Sequence, residues 1–139
     1  MFSAIAVARP AGAFTARVNY ALHCQGCHLA DGRETPGLVP RLQGTVGLLA
    51  RTPAGRDYLV RLPNVASVPL DDRELAALLD WVVLRFAETR PGENPAPFSV
   101  EEIAPRRGRP LLDADSARAA ALGGDSPSLG SARTGPAPR

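Results

Sequence analysis

The sequence predicts an all-α protein, and three observations carry that reading. Leu75, Leu78, Leu79, Val82 and Phe86 form one apolar stripe at helical spacing, with Trp81 beside it. Helix start signals recur along the chain, at Thr15, at Thr52-Pro53, at Asp71 with Glu74 three residues later, and at Ser99. No strand pattern stands before or after the segment that holds both cysteines. With 139 residues and 45% apolar content, one small domain is the default.

Taken in order, residues 1–13 are expected to be a signal-peptide remnant or a disordered leader. Phe2–Ala8 is a short apolar run, and Ala11-Gly12-Ala13 suits an A-x-A cleavage site. A positively charged n-region is missing, as if the start lay upstream of Met1. Phe14–His23 reads as a helix capped by Thr15, with Phe14, Val18, Ala21 and Leu22 at helical spacing. Ala30–Gly37 is loop, with Asp31-Gly32 and Pro36-Gly37 as turn signals. Leu38–Gly44 is extended or irregular. A second helix opens at Thr52-Pro53, carries Tyr58, Leu59 and Leu62, and stops before Pro63. The third begins at an Asp71 cap, with Leu70 and Leu75 placed as a hydrophobic staple, and breaks in the Thr89–Pro97 segment. Ser99–Ala104 and Asp113–Leu122 are short helices expected to wrap the surface. Residues 123–139, rich in Gly, Pro, Ser and Ala, are expected to be a disordered tail. The main domain is therefore 14–90, with 91–122 as a wrapping extension.

Composition narrows the function. A net charge of +2 gives no reason to expect nucleic acid as a partner. No run approaches the roughly 20 apolar residues of a membrane span. Aromatic residues make up only 5%, so a bound apolar group would supply core surface that the side chains lack.

Both cysteines and both histidines lie in His23-Cys24-Gln25-Gly26-Cys27-His28. Two cysteines three apart with histidine directly after the second form the attachment signature of c-type haem. The thiols add across the vinyl groups as thioethers, and His28 can turn its imidazole onto the iron as proximal ligand. A redox dithiol would need a strand–helix setting that this chain does not show. Zinc would need ligands beyond Cys24, Cys27 and His28, and only His23 remains. His23 itself reads as a partly exposed helix-end residue. Trp81 reads as a packing residue, and Asp71 and Glu74 as caps rather than an acid–base pair. There is no Ser/His/Asp arrangement and no phosphate-cradling glycine loop.

Across about Phe14–Ala87, the chain resembles the class I c-type cytochromes, the small soluble monohaem proteins. The matching features run in order: Tyr20 on the helix before the motif, Pro40 twelve residues after His28 with Leu42 next but one, Tyr58 on a middle helix, and Asp71-Asp72-Arg73-Glu74-Leu75 through Trp81. The resemblance implies a cytochrome c-like fold of about three main helices around one covalently attached haem c. It implies that the Pro40 carbonyl accepts a hydrogen bond from the proximal imidazole, that Leu42 packs on the proximal face, and that Tyr58 and Trp81 border the cofactor. Arg41, Arg51, Arg56 and Arg61 are candidates to neutralise the haem propionates.

The chain departs from the family at the distal ligand. The only methionine is Met1, whereas the family places one in the loop before the last helix, near Val65 here. Asn64 is the candidate weak ligand in that loop. The expected function is an exported, periplasmic electron carrier, not an enzyme, whose partner is a periplasmic dehydrogenase or a respiratory oxidase. The alternatives are a gas-binding or weakly peroxidatic haem protein with an open or Asn-ligated distal site, and a haem module whose distal face a partner chain covers.

Overall fold

The computed structural model describes residues 14–90 and 92–123. Within them the fold is all-α, and β pairing is limited to an isolated bridge between Thr35 and Val39. Eight helices follow in order: α1 Ala16–His23, α2 Gln25–His28, α3 Thr45–Ala50, α4 Pro53–Arg61, α5 Pro63–Ala66, α6 Asp72–Phe86, α7 Val100–Arg107 and α8 Ala114–Ala121.

The sequence signals set most helix starts. The Thr52 hydroxyl accepts from the Gly55 amide at 3.0 Å, and Pro53 occupies the first turn of α4. At α6 the capping box is complete. The Glu74 amide donates to Asp71 at 2.8 Å, and the Asp71 amide donates to the Glu74 carboxylate at 3.1 Å. Such a cap contributes about 1 kcal/mol. Ser99 and Asp113 accept the Glu102 and Ser116 amides as single caps of α7 and α8.

The core lies where α6 meets α1, α3 and α7. Leu75, Leu78, Leu79, Val82 and Phe86 are buried, as their stripe predicts. The inward face of α1 is not the expected one. Phe14 and Leu22 are 58% and 59% exposed, while Asn19 and Tyr20 are buried. The reason is aromatic. The Tyr20 ring sits 5.1 Å from Trp81 and 5.4 Å from Phe86, and rings of this size bury more area than the aliphatic positions of α1.

The short helix α3 adds an element that periodicity did not reveal. Gly44, at φ 69°, turns the chain into it and donates its amide to the Phe86 carbonyl at 2.8 Å. Val46, Leu49 and Ala50 are then buried against the core. Gly55 lets α4 pass so close to α3 that any Cβ there would strike the Leu49 carbonyl.

The segment after α6 does more than wrap the surface. Ile103 is 0% exposed, and Phe98 joins the same core cluster. Arginines hold it in place. Arg56 on α4 makes a two-point pair with Glu102, at 2.7 and 2.6 Å, and donates to the Ala96 and Pro97 carbonyls. Its guanidinium also lies 4.0 Å over the Phe98 ring. The expectations for the leader at 1–13 and the tail beyond residue 123 lie outside the described residues.

Candidate cofactor site

Helix α1 delivers the chain into the motif. It ends at His23, which is exposed, and the Cys24 amide closes it on the Tyr20 carbonyl at 2.9 Å. Helix α2 is a single turn in which the Cys27 and His28 amides both donate to the Cys24 carbonyl, at 3.1 and 2.9 Å. Cys24 and Cys27 thus stand on one short turn with His28 directly after them. Both thiols are half-buried and form no disulfide. Burial, then the neighbouring Cys27, pushes the Cys24 thiol up to about 11.

The loop after His28 is tied down by side chains. The Tyr20 hydroxyl donates to the Leu29 carbonyl at 2.7 Å, and Thr35 donates to the Cys27 carbonyl at 2.6 Å. The Gln43 amide reaches back to the Asp31 carbonyl at 2.9 Å, and the Leu42 amide donates to the Gly32 carbonyl at 2.8 Å. This last bond brings the Pro40–Leu42 segment alongside the motif.

His28, Pro40, Leu42, Tyr58 and Asn64 then share one cleft of about 330 Å³, with Leu59, Leu62 and Val65 among its apolar walls. That volume falls in the range of small-molecule and cofactor sites, about 300–1,000 Å³. Burial lowers the His28 pKa, while the Pro40 carbonyl beside the ring works in the opposite direction. The neutral imidazole that burial favours is the metal-ligating form. His28 Nδ1 is buried and makes no hydrogen bond of good geometry, an unmet polar atom next to the carbonyl expected to receive it. An apolar cleft, an imidazole in its wall and two thiols on the same turn fit a covalently attached haem. Among the described residues, no group of three or more His, Cys, Asp and Glu side chains gathers to hold a metal ion by itself.

The remaining candidates are distributed differently. Trp81 is not part of the cleft wall; it packs on α6 in a trio with Tyr20 and Phe86. Of the four arginines considered for propionates, only Arg41 lines the cleft. Arg51 pairs with Glu93, Arg56 with Glu102, and Arg61 with Asp57 and the Arg109 carbonyl. The extension competes for these three, and residue type alone did not reveal that.

Two contributions come from residues that sequence reasoning did not single out. Arg107 on α7 donates to the Ala66, Val68 and Leu70 carbonyls at 3.2, 2.8 and 2.8 Å, and to Asp72 at 2.9 Å. It thereby fixes the chain that follows Asn64 and Val65. Helix α8 places Ala114, Asp115 and Arg118 in the cleft wall. Their i, i+1, i+4 spacing marks one helix face, but nothing in the sequence says what that face meets.

No helix among the described residues is long and apolar enough to cross a membrane. No family model and no solved structure matches the chain. The chain is similar to cytochrome c-552 of Thermus thermophilus, with 27% identity over 106 residues, covering 63% of this chain and 81% of the relative. A second cytochrome c-552, from a specified strain of that organism, matches at the same identity and covers 72% of that relative.

Proposed function

We propose that this chain is a monohaem c-type cytochrome that carries electrons. The observation that carries the reading is the delivery of His28 into an apolar cleft by the turn that bears Cys24 and Cys27. The similarity to the two c-552 cytochromes supports it. In this reading Cys24 and Cys27 hold the haem by thioether bonds and His28 is the proximal ligand. The bound haem supplies one-electron redox chemistry. The protein contributes position and environment. With the group bound, the Pro40 carbonyl would accept a hydrogen bond from His28 Nδ1 and so orient the ring. Leu42, Leu59, Leu62 and Val65 exclude water, and the Tyr58 hydroxyl sits at the wall as a neutral donor, its pKa raised by burial. The working location is the periplasm, and the partner is a dehydrogenase or an oxidase.

A second reading rests on the cleft wall itself. The segment at 63–65 contributes Pro63, Asn64 and Val65 and offers no thioether. The distal side is then open, or weakly held by Asn64, and can admit a small molecule such as oxygen or nitric oxide.

Expression with periplasmic haem-attachment machinery tests both. Absorption spectra of the oxidised and reduced protein, with and without carbon monoxide, are the measurement. Covalent haem is expected, together with loss of stable holoprotein in His28→Ala. Absence of covalent haem would overturn the function. A low-spin spectrum indifferent to carbon monoxide would rule out the open site, and a spectrum that shifts would establish it.

A further inference from the structure

We propose that the outer face of α1 is a docking site for a membrane surface, and that its partner is a bilayer containing anionic phospholipid. The two faces of α1 have different surroundings. Asn19 and Tyr20 turn inward, with the Tyr20 ring against Trp81 and Phe86. Val18 and Leu22, four residues apart, lie on the opposite side together with Ala21, and Phe14 precedes Val18 by the same step. All four are exposed. Other large apolar side chains exposed among the described residues, such as Leu38, Leu48, Leu84 and Leu112, stand singly on separate parts of the chain, as is ordinary for a protein surface. Phe14, Val18 and Leu22 in line on one helix make a patch.

Charge identifies the partner. Helices α4, α6, α7 and α8 each carry at least one carboxylate. Helix α1 carries Arg17 and no carboxylate. The first acidic residue of the chain is Asp31, so everything before it holds Arg9 and Arg17 and no acid. A short helix with an apolar face, an arginine beside that face and no carboxylate suits the headgroup layer, with hydrocarbon on the acyl side and the guanidinium among the phosphates. It lies on the bilayer and does not cross it, since eight residues of helix reach only about 12 Å. Residues 1–13 join the helix at this end, and Phe2, Ile5 and Val7 in their sequence are of the same apolar character. A second copy of the chain fits the face less well. A two-turn helix offers far less than the roughly 800 Å² per partner of a standard interface. A two-fold contact centred on Val18 would also bring Arg17 towards its own counterpart. No residue of the cofactor cleft enters this inference, so it stands or falls apart from the cytochrome reading.

The test is co-sedimentation of the full-length holoprotein with two kinds of vesicle, one of phosphatidylcholine alone and one of phosphatidylcholine and phosphatidylglycerol in equal amounts. Wild type is expected to bind the anionic vesicles more tightly than the neutral ones, and less tightly as salt is raised. Val18→Ser/Leu22→Ser is expected to weaken binding about tenfold or more, because two apolar side chains no longer enter the acyl boundary. Arg17→Gln is expected to weaken binding to anionic vesicles roughly fivefold and to leave the neutral ones unaffected. All three positions are exposed, and unchanged circular dichroism confirms that each variant is folded. If the double variant fails to fold, Arg17→Gln alone decides. Wild type that binds neither vesicle overturns the proposal. So does full binding by the double variant, which would place the membrane contact elsewhere, or equal loss on both vesicles in Arg17→Gln. A dimer in sedimentation equilibrium that the double variant abolishes, without vesicle binding, would assign the face to a second copy instead.

Discussion

Tyr20→Phe isolates one hydroxyl in the support of the motif. The phenyl ring keeps its packing 5.1 Å from Trp81 and 5.4 Å from Phe86, so the change removes only the donor that the Leu29 carbonyl meets at 2.7 Å and the His28 carbonyl at 3.5 Å. Leu29 sits at φ 55°, a conformation that needs outside support in a branched residue. A part-buried hydrogen bond contributes about 1 kcal/mol, and leaving its acceptor unmet raises the loss towards about 2 kcal/mol. In a domain of this size, each kcal/mol shifts the melting temperature by roughly 4–8 °C. Thr35→Val removes the second tie, to the Cys27 carbonyl. The two losses meet on one turn, so the double variant is expected to show a coupling of about 0.5 kcal/mol or more. Thermal unfolding of the holoprotein, followed by circular dichroism, measures all four corners of the cycle. The pH dependence provides an independent check. Burial above all pushes the Tyr20 pKa up, to about 12 from 10.0 with both thiols free. A raised folded pKa means the hydroxyl's stabilisation is complete below pH 10 and is lost as the pH climbs towards 12. The advantage of wild type over Tyr20→Phe should therefore shrink across that window. Equal melting temperatures at pH 7, with no loss of advantage above pH 10, would refute the claim that this hydroxyl holds the loop.

Glu102→Gln is expected to destabilise the protein by about 2 kcal/mol near neutral pH, because Arg56 keeps its carbonyl partners but loses a two-point charged acceptor in a mostly buried pair. Arg56 holds the Glu102 pKa below its usual value of 4.5. The depressed group stabilises above that value and loses its effect as pH falls through the folded pKa, so urea midpoints of variant and wild type should converge in acid. A difference that persists unchanged to low pH would count against the pair. Gly55→Ala forces a methyl group into the Leu49 carbonyl of α3 and is expected to cost about 3 kcal/mol or prevent folding. Normal stability in Gly55→Ala would mean that α3 and α4 are not so closely packed.

How much was legible depended on whether the signal was local. The Cys24–His28 turn, the Thr52 cap and the capping box at Asp71 are short-range chemistry, and the structure shows each where the sequence predicts it. His28, Pro40, Leu42, Tyr58 and Asn64 line one cleft, while Trp81 packs with Tyr20 and Phe86 outside it. Helix α3 was illegible because six residues carry too little period, and its start depends on Gly44 meeting the distant Phe86 carbonyl. The inward face of α1 was misjudged for a related reason. Counting apolar positions favoured Phe14, Val18, Ala21 and Leu22, whereas the partner surface of Trp81 and Phe86 selects Tyr20.

The arginines show why side-chain type alone could not assign the cleft. Sixteen basic residues, all arginine, give every segment a candidate cation, and nothing local distinguishes a structural one from a functional one. Tertiary competition decides. The extension presents Glu93, Glu102 and a row of carbonyls, and these capture Arg51, Arg56 and Arg61 from the side of α4. In return it sends Arg107 to the carbonyls of Ala66, Val68 and Leu70, and Arg118 to the cleft. The exchange has a structural consequence in the segment that follows Asn64 and Val65. There a guanidinium gripping three carbonyls and Asp72 fixes the backbone.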